Sequence, residues 1–378
     1  MPGIYVHIPF CARRCPYCDF AVTVNARADF RAAYVAALTR ELRQELSAHS
    51  VKFETVFFGG GTPTELSAAT LNGLLQTIRE SGRLARNAEI ALEANPENLD
   101  LTYLAELRAG GWNRLSLGAQ SFSSSALEKF GRAHAPERID EVVAAARAAG
   151  FENVSLDLIY GEGFTSLPAW RETLKRALAL NVEHLSCYSL TIEPGTHFGT
   201  LAARGLLEVP TDDAQADLMD AAAATLGTAG LERYEVSNWA KAGFECRHNL
   251  NYWRGGDYLA AGCGAHGHWN GQRWWNARDA KTYIAQMESD GHAREGEEAL
   301  NARERLSERV ALGVRCREGF DLDELTARLD LDARALLRDG LEFLTDAGAL
   351  KRDGARVRPT NSSLAIADGM AVRLLREV

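Results

Sequence analysis

The chain reads as an α/β protein: a partial (β/α)6 barrel of the TIM type, then an α+β extension and a small winged-helix-like C-terminal domain. Three observations predict this. Short apolar runs alternate with helix-periodic stretches through the first half. The chemically distinctive residues fall just after those runs, at the carboxyl ends of the strands, where barrel enzymes build their sites. The last stretch carries two helical patterns and a hairpin signal.

Strands are expected at 4–8, 55–58, 89–93, 114–119, 153–159 and 184–190, with helices between them at 27–48, 68–80, 102–109, 138–149 and 168–180. Ser67 and Asp100 stand where helix N-caps belong, and Gly82, Gly110 and Gly150 where helices stop. Six β–α units in succession imply a parallel barrel or part of one, with a doubly wound open sheet as the alternative. A complete eight-unit barrel takes about 250 residues, so six units suit this span better.

Beyond Glu193 the rhythm weakens to a helix at 211–227 and a strand at 232–236. The region 237–276 then gathers Trp239, Trp253, Trp269, Trp274 and Trp275. It also holds the string His248, Asn249, Leu250, Asn251, Tyr252, Trp253, and a glycine-flanked His266. These aromatic residues either pack a layer over the barrel's edge or line a pocket for a flat apolar ligand. In the tail, helices are expected at 321–329 and 336–347, and a hairpin at 348–358 turning at Asp353 and Gly354. Acidic residues around the tail's helices favour a docking module over a DNA reader. The division expected is 1–200 for the barrel, 201–290 for the extension and 291–378 for the C-terminal domain, with the charged stretch 288–305 as the connection.

With 378 residues, 46% of them hydrophobic, the chain can bury one large core and a smaller one. A net charge of −9 argues against non-specific nucleic-acid or anionic-membrane binding. No apolar run is long enough to span a membrane, and no signal peptide is expected before the first strand. Seven cysteines, three of them clustered, suit a reducing cytoplasm better than a disulfide framework.

The clustered trio is Cys11, Cys15 and Cys18, in the spacing C-x3-C-x2-C on the loop after the first strand. Three thiolates on one loop suit zinc or an iron–sulfur cluster. A structural zinc site closes its tetrahedron with a fourth protein ligand, for which His7 is the local candidate. Three thiolates on a four-iron cluster instead leave one iron open to a small molecule. Gly59, Gly60 and Gly61 after the second strand either permit a tight turn or let backbone approach a ligand. Glu93 and Asp157 each interrupt an apolar strand, and a carboxylate pointing into a barrel mouth needs a partner. Arg132 or a ligand amino group could supply it.

The cysteine spacing, with Tyr5-Val-His-Ile-Pro-Phe-Cys11 and Gly59-Gly-Gly-Thr-Pro-Thr64 around it, resembles the radical S-adenosylmethionine (SAM) superfamily. Within it the chain is similar to the oxygen-independent coproporphyrinogen III oxidase-like branch. The resemblance implies a 4Fe–4S cluster on Cys11, Cys15 and Cys18. It also implies a SAM site at Tyr5, Tyr17, Gly60, Gly61, Thr62, Glu93, Gln120, Arg132 and Asp157. Thr191 and His266 match positions assigned to a second SAM in the oxidase, but their residue types differ from it.

The H-N-x-x-Y-W string resembles the motif of the haem chaperones in that branch. It implies haem held near His248, Tyr252 and Trp253, with His248 as iron ligand and His266 as rival. It also implies a haem-acceptor protein, an electron donor for the cluster, and peripheral contact with membrane haem proteins. The alternative is the oxidase itself, an oxygen-independent oxidative decarboxylase. Its motif extends to a fourth cysteine where this chain has Phe20, and it carries a leader before the first strand that is not expected here. A radical SAM methyl or alkyl transferase would share the barrel but not the string.

Overall fold

Side-chain alternation decides how the barrel strands sit. The computed structural model describes residues 1–376 and 378. In it the apolar runs form six parallel strands: β1 (Gly3–Ile8), β2 (Phe53–Gly60), β3 (Leu84–Ala94), β4 (Arg114–Gln120), β5 (Val154–Tyr160) and β6 (His184–Ser189). They pair in sequence order, in parallel register. Ile4, Val6, Ile8, Val56, Phe58, Leu115, Leu117, Leu156, Leu158 and Leu185 join one core with the surrounding helices. The residues between them face the other way and are largely polar: Tyr5, His7, Thr55, Glu89, Glu93, Ser116, Ser155, Asp157, His184 and Ser186. A side-chain period of two separates these two faces. It explains why apolar strands carry single polar interruptions.

The crossover helices are α1 (Ala28–Ala48), α2 (Ala68–Glu80), α3 (Leu101–Gly110), α4 (Pro136–Ala148) and α5 (Leu167–Ala179). Ser67 and Asp100 cap α2 and α3 by accepting hydrogen bonds from the backbone N–H of Thr70 and Tyr103. The stop after α3 is Gly111, with φ +96°, and not Gly110 as expected. β3 begins five residues before its expected start because Arg86 and Asn87 hide its first part from an apolar pattern.

The sheet is partial. Beyond β1 a seventh parallel strand, Tyr258–Ala261, is followed by the antiparallel strands His266–Trp269, Gln272–Asn276 and Arg294–Ala299. Beyond β6 lie only Asn238–Ala240 and Glu232–Arg233. Those two flanks remain the open edges of a twelve-stranded sheet among the described residues. The expected strand 232–236 stops early because Tyr234 and Val236 bond instead to the backbone of Arg317 and Arg315. The stretch expected as a connection, 288–305, contains the edge strand Arg294–Ala299 and the start of the helix Ala302–Gly313. A second core is built from Leu306 onward. It gathers the helices Ala302–Gly313, Leu322–Leu329, Ala333–Asp346 and Ala367–Leu374 around a three-stranded sheet with the hairpin Leu350–Asp353 and Arg356–Pro359. Among the described residues no helix is long and apolar enough to cross a membrane.

Candidate functional site

The cysteine loop is tied down at both ends. Phe10 is fully buried against Tyr34, and Phe10–Cys11 pairs with Thr23–Val24, closing a loop around the thiols. A turn from Cys15 O to Cys18 N, 3.1 Å, folds the trio back on itself. All three thiols are half-buried and line one cavity of about 640 Å3 at the carboxyl ends of the barrel strands.

Burial pushes the Cys11 thiol up to about 11, and it raises Cys18 as well. Such thiols become thiolates near neutral pH only against a bound cation. Among the described residues no three His, Cys, Asp or Glu side chains converge as a single metal ion requires. A four-iron cluster spreads its thiolates over separate corners and suits this donor set better. His7 is excluded as a zinc ligand, since its ring nitrogens face Tyr5 Oη at 3.0 Å and Ala21 O at 2.9 Å.

The same cavity is lined by Tyr17, Gly60, Gly61, Thr62, Glu93, Gln120, Arg132, Asp157 and Thr191. The glycine run has a local reason beside any ligand. Gly60 has φ +108°, and a Cβ there would fall 2.3 Å from the His7 ring. Gly61 is pressed against the backbone of Pro9 and Phe10. Thr62 Oγ1 contacts Cys11 Sγ at 3.6 Å and accepts from Asn95 Nδ2 at 2.9 Å. The partner of Glu93 is the Gly60 N–H, which donates to its Oε2 at 3.1 Å, and not Arg132. Burial and the negative charge of Asp157 raise Glu93 to about 7. Asp157 accepts from Ser116 Oγ at 3.1 Å, and burial raises it too.

Arg132 donates to Asn95 Oδ1 and Gly118 O, and its Nη1 lies 3.7 Å from Cys15 Sγ. Its Nε and the Glu97 Oε2 are buried without a partner, as polar atoms awaiting a ligand would be. Gln120 ends β4 at φ +63°, strained for a residue with a Cβ. Asn95, which joins Thr62 to Arg132, is absent from the set implied by resemblance. The Asn-Pro pair directly after β3 was its only signal.

Five candidates lie elsewhere. Tyr5 sits inside the barrel, bonded to His7 and stacked on Phe57 at 6.5 Å. His248, Tyr252 and Trp253 belong to the helix Arg247–Trp253, which closes the opposite, amino-terminal end of the barrel. Glu89 accepts the Arg247 and His248 backbone N–H groups there, at 3.1 and 3.0 Å. His248 is fully buried; Nδ1 meets Thr55 Oγ1 at 2.8 Å and Nε2 meets Tyr252 Oη at 2.7 Å. Burial lowers its pKa to about 3. Both ring nitrogens of His248, the expected haem ligand, are thus engaged inside the plug. His266 stands exposed on the extension, its ring stacked on Trp275 at 5.9 Å.

Comparison with known proteins places this geometry. Residues 5–177 match the radical SAM superfamily, and residues 300–364 match the HemN C-terminal domain. The heme chaperone HemW of Mycobacterium tuberculosis is 38% identical, the match covering 99% of this chain and 94% of that protein. HemW of Bacillus subtilis is 34% identical over 96% of each. The structure of coproporphyrinogen III oxidase (HemN) from Escherichia coli superposes with a TM-score of 0.85, covering 100% of this chain and 91% of the other. At 24% identity that likeness speaks for the fold. With relatives so alike along nearly its whole length, the chain belongs to the HemW family of haem chaperones within the radical SAM superfamily.

Proposed function

We propose that this protein binds haem and delivers it to an acceptor protein, using a radical SAM barrel as its scaffold. The observation that carries the reading is near-full-length likeness to HemW, joined to a three-thiol loop that opens on a cavity. Cys11, Cys15 and Cys18 would hold the 4Fe–4S cluster, and Glu93, Arg132, Asp157 and the Gly60–Thr62 backbone would hold SAM. When bound, the cluster and SAM together supply one-electron chemistry at the cavity. This chain's own residues do the rest. Arg132 sets positive charge beside Cys15, and Glu93 and Asp157 offer acceptors to an amino group. An electron donor protein would reduce the cluster.

We assign the haem ligand to His266 in place of His248. His266 is exposed, and partial burial with the charges of Arg273 and Arg278 lowers its pKa, favouring the neutral imidazole that binds iron. Trp275 offers the adjoining aromatic face. The acceptor would be a haem protein, reached in the cytoplasm or at a membrane surface. The test is anaerobic haem titration of His266→Ala and His248→Ala. Loss of the Soret shift in His266→Ala alone supports the assignment. A normal shift in His266→Ala removes it. Turnover of coproporphyrinogen III with SAM and reductant would replace the chaperone reading with the oxidase.

A further inference from the structure

A second cavity, of about 490 Å3, lies between the amino-terminal end of the barrel and the C-terminal unit. Trp253, Arg254, Trp269, Arg309, Phe320 and Arg328 are among the side chains that form its walls. Its charges are not equally matched. Arg254 makes a two-pronged pair with Glu318 at 2.6 and 2.7 Å. Arg356 lies 3.7 Å from Asp321, whose other oxygen caps the helix Leu322–Leu329. Arg328 lies 4.0 Å from Glu324, and Asp257 accepts the Asn270 N–H at 2.8 Å. Each acid at the cavity already has a partner.

Arg309 has none of these. It projects from the helix Ala302–Gly313 across Gly255, where an added Cβ would lie 2.6 Å from its Cδ. Its Nε and Nη1 are buried with no hydrogen-bond partner among the described residues. Burial and the like charge of Arg328 both disfavour its charged form. A guanidinium nevertheless stays protonated, so the cost of burying it unpaired persists until a counter-charge arrives. A guanidinium that lines a cavity and makes no ion pair there matches a small oxyanion as its counter-charge.

We propose that this cavity is a binding site for a small oxyanion, a carboxylate or phosphate, held by Arg309 and flanked by Trp253 and Trp269. The anion would tie the C-terminal unit to the turn at Gly255, which directly follows the helix that plugs the barrel. The site is separate from the thiol-lined cavity, so its test does not depend on haem or SAM.

The experiment is anaerobic thermal unfolding of the full-length protein in phosphate, in citrate, and in chloride at equal ionic strength. Wild type should gain about 1–2 °C over chloride in one of the two oxyanions, roughly the effect of 1 kcal/mol in a protein of this size. Arg309→Met should lose that gain, while Arg358→Met, on the exposed hairpin, should keep it. Without oxyanion, Arg309→Met should unfold no lower than wild type. A gain in phosphate alone or in citrate alone identifies the ligand class. No gain over chloride in wild type overturns the proposal, whether or not Arg309→Met folds. So does an equal gain in Arg309→Met, or a marked loss of stability in that variant without oxyanion.

Discussion

The two ends of the barrel are built from the same materials and do opposite things. Both place acids, histidines and hydroxyls on the inner face of the strands. At the amino-terminal end every such group considered above has found a protein partner: His248 with Thr55 and Tyr252, Glu89 with the start of a helix, Ser155 with His184 at 2.7 Å. At the carboxyl end valences stay open. The three thiols line the cavity, Arg132 Nε and Glu97 Oε2 are orphaned, and burial raises the pKa of both Glu93 and Asp157, with the charge of Asp157 raising Glu93 further. Polar character inside a barrel therefore does not mark a site. Unsatisfied polar character does.

The largest expected effect comes from removing a thiol at the open end. Cys15→Ala should abolish the stoichiometric iron and sulfide of the anaerobically prepared protein and any change of its EPR signal on adding SAM. Because the loop is anchored by Phe10 and not by the thiols, the unfolding midpoint of the metal-free protein should hardly move. Iron retained at wild-type stoichiometry would contradict the placement of the cluster.

The plugged end should behave in the reverse way. His248→Ala removes a fully buried ring and leaves the hydroxyls of Thr55 and Tyr252 without their shared partner. A cavity plus two orphaned groups costs about 2–4 kcal/mol. Urea unfolding should show that loss while iron content remains intact. A variant as stable as wild type that fails only in haem binding would show that the plug opens in solution.

These two residues also measure how far the sequence could be read. The strand–helix order was legible because period-two and period-3.6 patterns are local. So were Ser67 and Asp100 as caps. The thiol trio and the glycine run were legible because few structures need those residue types at that spacing. His248 was not. A histidine beside Tyr252 and Trp253 has the composition of a ligand pocket, and only tertiary pairing with Thr55, nearly two hundred residues away, shows it to be a plug. Asn95 stood out at a strand end, but its partners were hidden for the same reason. Its importance lies in bridging Thr62 and Arg132, contacts made across three strands. The edge strand Arg294–Ala299 escaped because its charged, exposed residues carry no apolar alternation.

A smaller effect separates the two ends by pH. The folded-state pKa of Glu93, about 7, lies above the ordinary carboxyl value, so the folded protein holds that proton more tightly than the unfolded chain. Stability from this group is complete below the unfolded value and is lost as pH rises toward 7. Above that the penalty is full, of order 3 kcal/mol given a shift of this size. Glu93→Gln should therefore be more stable than wild type at pH 8 and no more stable at pH 4, measured without SAM. Equal differences at both pH values would mean that Glu93 is already ionised and compensated in the empty cavity.

The smallest effect tests whether strain, like unpaired polarity, is kept at the open end. Gln120 ends β4 in the left-handed region, φ +63°, beside the irregular register between β4 and β5. A residue with a Cβ in that region is held at a cost of about 1 kcal/mol, and glycine adopts it freely. The same exchange also loosens the unfolded chain, which offsets part of the gain. Gln120→Gly should thus leave the unfolding midpoint unchanged or slightly raised. Its side chain lines the cavity beside Arg132 and Asp157, so SAM affinity measured by calorimetry should fall. A residue that only ends a strand would show neither the preserved stability nor the weakened binding. If glycine lowers the midpoint and leaves SAM affinity intact, Gln120 is structural and the open end stores no strain there.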